Sequence, residues 1–212
     1  LASGTVSAST STLPTTLGGV QLQLTDSLGS TRNAPLFFVS PTQINFQVPT
    51  GTAPGSATVN VLLNGSITGS GNVTIANVAP GLFTANVTGK GVPAAVVYRI
   101  KADGTQSYEP VAQYDSTQNA YVTTPIDLGA TTDQVFLIAY GTGLRNRSSL
   151  SVTTATIGGT NAVVSYAGAQ GTYVGLDQVN ILIPRSLAGR GNVDLVLNMD
   201  GQSANTVTIN IK

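Results

Sequence analysis

The chain has 212 residues, 41% of them hydrophobic, and contains no cysteine, histidine or tryptophan. Nine basic and nine acidic groups cancel, and charged residues are only 8%, against about a quarter in an average soluble domain. This argues against nucleic acid, which needs clustered Lys and Arg, against a polybasic membrane patch, and against disulfide or thiolate chemistry.

In chain order, Leu1 to Leu13 is polar and rich in Thr and Ser, with Val6 and Leu13 among its few apolar residues, and reads as an arm or linker. Val20-Gln-Leu-Gln-Leu24 then alternates apolar and polar residues, as does Ile44-Asn-Phe-Gln-Val48. Ala57 to Leu63, Val193 to Met199 and Val207 to Ile211 follow the same period. Alternation over four to eight residues predicts strands with one buried face. Val92 to Ile100 and Asp133 to Tyr140 are apolar runs that predict buried strands. Asn64-Gly65, Asp103-Gly104 and Asp200-Gly201 suit the positive φ angles of two-residue hairpins. No window of ten residues carries a helical period, and Pro184 breaks the one short candidate turn between Asp177 and Leu187. No run of 18 apolar residues is present, so no helical membrane span is expected. The fold class is all-β, and short strands punctuated by turns favour sandwiches.

One phrase occurs twice. Val39-Ser-Pro-Thr-Gln-Ile-Asn-Phe-Gln-Val-Pro49 returns 135 positions later as Val174-Gly-Leu-Asp-Gln-Val-Asn-Ile-Leu-Ile-Pro184. The match extends on both sides. Leu17-Gly-Gly19 corresponds to Ile157-Gly-Gly159, Gly55 to Gly65 corresponds to Gly191 to Gly201, and Val73-Thr-Ile75 corresponds to Val207-Thr-Ile209. The Gly pair, the Gln-x-Asn strand with its proline, the next strand, its Asn/Asp-Gly turn and the last strand are five features in one order, which imply two related sandwiches in tandem. Their boundary is expected at 1–78 and 79–212, with a polar insertion around 103–125 in the second. That second copy has about 75 residues between Pro80 and its Gly pair, including two apolar strands, whereas only Leu1 to Leu17 precede Gly18 in the first. The first domain is therefore expected to be short of N-terminal strands. Either the chain is a fragment or a neighbouring molecule supplies a strand.

LPTTLGGV (Leu13 to Val20), APLFFVSPTQINFQVP (Ala34 to Pro49), VAPGLF (Val78 to Phe83), YGTGLR (Tyr140 to Arg145) and YVGLDQVNILIP (Tyr173 to Pro184) together resemble the Solibacter-type C-terminal domain family. That family occurs in secreted and surface proteins of acidobacteria. The resemblance covers essentially the whole chain and implies two tandem immunoglobulin-like β-sandwich domains with no attached enzymatic activity. It also implies a strand ahead of LPTTLGG ending in a phrase like Gly-Thr-x-Leu-Ala, of which Leu1-Ala2 would be the last two letters.

Without histidine or cysteine, the Ser-His-Asp triad and most zinc and iron ligands are absent. The nine acids are scattered, with Asp127 and Asp133 the one pair that could share a loop; no catalytic residue, cofactor or metal is assigned. Asp103 to Ser107 and Asp115 to Asn119 are candidate calcium loops, but neither has the dense D-x-D-x-D spacing of a loop site, and turns are the simpler reading. Tyr108, Tyr114 and Tyr121 cluster in the insertion as a candidate ligand face for glycans, since aromatic faces stack on sugar rings; the competing reading is that they pack the insertion onto the sheet. Four Asn-x-Ser/Thr sequons, at Asn64, Asn72, Asn86 and Asn146, are read as compositional. In the repeated phrase, Gln43, Asn45, Gln178 and Asn180 fall on one strand face and are expected to bond a nearby loop or the domain seam. Ile44, Phe46, Val179 and Ile181 are expected to fill cores, and Pro49 and Pro184 to stop the strands.

The expectation is a non-catalytic structural or adhesive protein, secreted or on the cell surface. It would assemble with copies of itself head to tail into a filament by strand donation, with Leu1, Val6 and Leu13 in the assembly arm. A carbohydrate-binding or spacer module of a larger secreted protein is the other reading.

Overall fold

A computed structural model of the chain describes residues 2–9 and 12–212. Leu1 of the expected arm lies outside the described residues. The chain divides into two compact units, Leu1–Asn77 and Val78–Lys212. The division falls one residue before the expected boundary because Val78 is buried in the second unit's core.

Unit 1 contains β1 (Val6–Ser7), β2 (Val20–Thr25), β3 (Thr31–Asn33), β4 (Leu36–Val39), β5 (Ile44–Phe46), β6 (Gly55–Leu63) and β7 (Ser66–Ile75). They form a sheet ordered β1-β4-β5 and a second ordered β3-β2-β6-β7. The alternation of β2 is realised directly: Val20, Leu22 and Leu24 are buried while the residues between them are half-exposed. Val20 and Leu22 pack with Leu36 and Val39 from the other sheet and with Ala34 just before it, and Ala2 joins this core.

Unit 2 opens with β8 (Gly81–Leu82), β9 (Ala95–Ile100), β10 (Gln106–Pro110), β11 (Ala112–Asp115), β12 (Ala120–Thr123) and β13 (Pro125–Ile126). It continues with β14 (Gln134–Thr142), β15 (Thr153–Ile157), β16 (Thr160–Ala169), β17 (Asp177–Leu182), β18 (Gly191–Met199), β19 (Gln202–Ser203) and β20 (Val207–Ile211). The main path runs β10-β9-β14-β17-β16-β15-β18-β20-β13, with β11-β12 as a separate hairpin. Ten-residue β16 turns the corner, pairing β15 through its first residues and β17 through the rest. The inward faces of the two arms of this path share one core, including Leu137, Val179, Ile181, Leu195, Leu197 and Ile209. The protein is all-β, with several sheets in the sandwich class.

The repeat is visible in the backbone. Gly18-Gly19 and Gly158-Gly159 have the same φ angles, 56° and 77° in each pair. Asn64-Gly65 and Asp200-Gly201 are both positive-φ turns starting at 49°, the geometry a two-residue hairpin needs to match strand twist. β4 pairs β5 with a bulge between Leu36 and Phe38, and β16 pairs β17 with a bulge between Val164 and Tyr166. The short turn expected near Pro184 is a 3-10 turn, Arg185–Leu187, which begins after the proline.

Candidate functional site

The groups that could do chemistry are turned onto the fold. Asp103 accepts from the Thr105 N–H at 2.8 Å, and this bond holds its carboxyl below the ordinary value. Asp115 accepts from the Gln118 side chain and from the Thr117 and Gln118 N–H groups, which lowers its pKa likewise. Both loops are thus Asx turns whose carboxylates serve their own backbone. Asp127 and Asp133 do approach one centre, but that centre is Arg99. Its guanidinium pairs with both carboxylate oxygens of Glu109 at 2.6 and 3.0 Å, lies 3.6 Å from Asp133, and donates to the Asp127 carbonyl. The hydrogen bond to Arg99 outweighs desolvation and keeps Glu109 ionised below its usual range. Among the described residues no group of three His, Cys, Asp or Glu side chains is placed to hold a metal ion.

The tyrosines separate into two sets. Tyr114 and Tyr121 face each other across the β11–β12 hairpin, edge to face at 5.6 Å between centroids, and the Tyr114 hydroxyl bonds Asn119. Tyr108 lies on β10, stacked on Tyr98 of β9 at 5.0 Å. Tyr98 in turn stands 6.4 Å from Phe136 of β14. Of the three residues that the sequence grouped, Tyr114 and Tyr121 contact each other and Tyr108 contacts Tyr98 instead. Strand pairing prolongs the Tyr108–Tyr98–Phe136 row to Leu182 and Val163, an apolar stripe across the outer face of the sheet. Tyr98 is stacked on Tyr108 and tilted 36° to Phe136, so one face of its ring is covered by a neighbouring ring. Phe136 carried no special sequence signal, and the stacking of Tyr98 on Tyr108 was not legible, since cross-strand neighbours are set by register.

The repeated phrase is a strand in both units, with the same internal bond. Gln43 Nε2 donates to Asn45 Oδ1 at 2.6 Å, and Gln178 Nε2 donates to Asn180 Oδ1 at 2.8 Å. Residues two apart share a strand face, so the amides satisfy each other along the strand instead of reaching the loop or seam that the sequence reading expected. Pro49 and Pro184 each follow the end of their strand by two or three residues.

The two copies differ in their neighbours. β17 is flanked by β14 and β16, and Val179 and Ile181 are fully buried. β5 has β4 on one side and no strand on the other among the described residues. Ile44 is accordingly half-buried, Phe46 is 36% exposed and Val48 46% exposed, which corrects the expectation that Phe46 fills a core. The same holds at the other sheet: β20 lies between β18 and β13, whereas its counterpart β7 is a ten-residue edge. Edges are commonly guarded by charge or proline. Here no residue between Asn33 and Gly89 carries a charge.

The arm is also placed. Val6 and Ser7 pair with Val39 and Phe38 on the side of β4 away from β5. Ala8 N donates to the Phe37 carbonyl and Ala2 N to the Ser40 carbonyl. Val6 remains 38% exposed and Leu13 is half-buried. The segment read as an assembly arm or linker is placed as an edge strand of its own unit, because Val39 and Phe38 offer it an open backbone ladder.

Compared with family models, curated proteins and solved structures, the chain matches none.

Proposed function

We propose that this is a non-catalytic structural or adhesive protein of the cell exterior, two immunoglobulin-like sandwiches in tandem, that associates with its own kind by accepting an extended strand at the outer edge of β5. The observation that carries this reading is the unequal flanking of one repeated strand: β17 has two neighbours, β5 one. A strand laid where unit 2 has β14 would pair the open β5 backbone and cover Phe46 and Val48, the mode by which sheet edges capture extended segments. Contact between two different surfaces is heterologous, and unless the rotation closes a ring it propagates. The low charge and abundant Ser, Thr, Asn and Gly suit an immobile exported protein, as does the resemblance to acidobacterial secreted and surface domains.

The test is electron microscopy and light scattering of the full chain beside Phe46→Lys, which places a cation on the edge without touching a buried residue. Fibres or oligomers in the parent and their loss in a folded variant are expected. A parent that stays monomeric at high concentration refutes the reading, as does assembly that the lysine leaves intact.

A further inference from the structure

Unit 2 carries an open edge of its own, and unit 1 displays what fits it. The bulged pairings align the two units residue by residue. Phe38 opposite Asn45 corresponds to Tyr166 opposite Asn180, and Val39 opposite Ile44 corresponds to Ala167 opposite Val179. In unit 1 the far side of this strand is occupied by β1. In unit 2 the same side of β16, beyond its pairing with β15, has no strand partner among the described residues. Val163 is 64% exposed there and Tyr166 38%, and nothing from Thr160 to Ala169 is charged or proline.

Two further features lie along this edge. Where β15 and β16 part, a shallow cleft of about 560 Å³ opens between Leu150, Thr153, Ala155, Val163 and Val164. Among the described residues, two of the three buried side-chain polar atoms without a hydrogen-bond partner lie close by, Thr153 Oγ1 and Arg147 Nε. Thr153 lines the cleft; a Cβ placed on Gly168 of β16 would meet the Arg147 guanidinium at 3.3 Å. Buried polar atoms without a partner are costly.

We propose that the outer edge of β16 receives the N-terminal arm of a second copy of this chain, in the register the arm uses at home. Val6 then lies opposite Ala167 and Ser7 opposite Tyr166, and the chain direction carries Ser9 toward Val163 and the cleft. At home the arm makes a two-residue ladder with Val6 and Ser7 exposed, flanked by the Ala2–Ser40 and Ala8–Phe37 backbone bonds; the exchange replaces that ladder with an equivalent one on the second molecule. An arm passing from unit 1 of one molecule to unit 2 of the next is a head-to-tail link. The inference rests on the self-assembly reading but uses a different acceptor from β5.

The chain has no cysteine, so introduced thiols report alone. Ser7→Cys in one preparation and Tyr166→Cys in another, mixed and oxidised, should yield covalent heterodimer at least tenfold above a mixture of Ser7→Cys with Thr117→Cys. In a second variant, Ser7→Cys with Phe38→Cys, oxidation ties the arm to its own β4. Association should be lost in that form and return on reduction, with the far-UV spectrum unchanged. Heterodimer at the level of the Thr117 control overturns the proposal, and so does a tied arm that associates normally. If the tied form assembles while Phe46→Lys does not, strand addition at β5 stands and arm exchange falls; the reverse pattern removes β5 and keeps the arm. A parent that never associates removes both.

Discussion

Asn205 offers a measurable test of how unit 2 is held together. Its side chain accepts from the Leu82 N–H at 2.7 Å and donates to the Leu82 and Gly89 carbonyls at 3.0 and 2.8 Å. One amide therefore latches β8 and the following loop to residues more than 110 positions away. Asn205→Ala leaves three backbone groups without a partner. At about 1 kcal/mol each for half-buried groups that water partly reaches, the cost is about 3 kcal/mol. A unit of this size loses about 3 °C per kcal/mol, so its melting transition should fall by about 10 °C in differential scanning calorimetry. Amide exchange at Leu82 should speed up in step. Asn205→Asp sharpens the test. The carboxylate can accept from Leu82 but has no proton for the two carbonyls, so it should cost at least as much near neutral pH. Acidification supplies a donor proton, and part of the loss relative to alanine should return. A shift under about 2 °C for alanine, or an aspartate variant matching the parent at neutral pH, refutes the latch.

Other outcomes follow from the same geometry. Gly141 and Gly143 lie against the Gly81 and Ala79 carbonyls so closely that a Cβ would overlap them; Gly141→Ala should detach β8 and cost about 3 kcal/mol by denaturant unfolding. The carboxyls of Asp26, Glu109 and Asp200 are held below their usual values, first by the Ala53 N–H, the Arg99 guanidinium and the Ser148 hydroxyl respectively. Folded values below unfolded ones mean stabilisation that is present above the ordinary carboxylate range and lost as pH falls through the folded values. With no histidine, melting temperature should be level between about pH 6 and 8 and drop below about pH 4; a midpoint near neutrality contradicts this. Leu195→Ala, in the sealed core, should cost about 2–5 kcal/mol in urea titration.

What could be read from residues was whatever repeats locally. Val20 to Leu24 and Val207 to Ile211 alternate and bury alternate residues as expected, because side-chain direction in a strand has period two. Asn64-Gly65 and Asp200-Gly201 announced their turns through the φ angles they tolerate. What could not be read was who lies beside whom. Ile44-Asn-Phe46 and Val179-Asn-Ile181 are nearly the same words, yet one has a neighbour on a single side and the other is central. That difference is decided by β14, far away in the chain, and it is why Phe46 is exposed while Ile181 is sealed. The buried Asp177 that accepts from Leu144 N and Arg145 gave no local sign either, since its partners lie more than 30 residues upstream. The arm's docking on β4 was missed because Val6 and Ser7 contribute backbone rather than apolar bulk.

The absence of charge from Asn33 to Gly89 has a practical consequence. Contacts made by β5 or β7 would be main-chain hydrogen bonds and apolar cover, and dissolved ions have nothing there to shield. Brine and fresh water should leave such a junction equally firm, as should mild shifts of acidity. Releasing it should take urea or guanidinium, which solvate peptide groups directly.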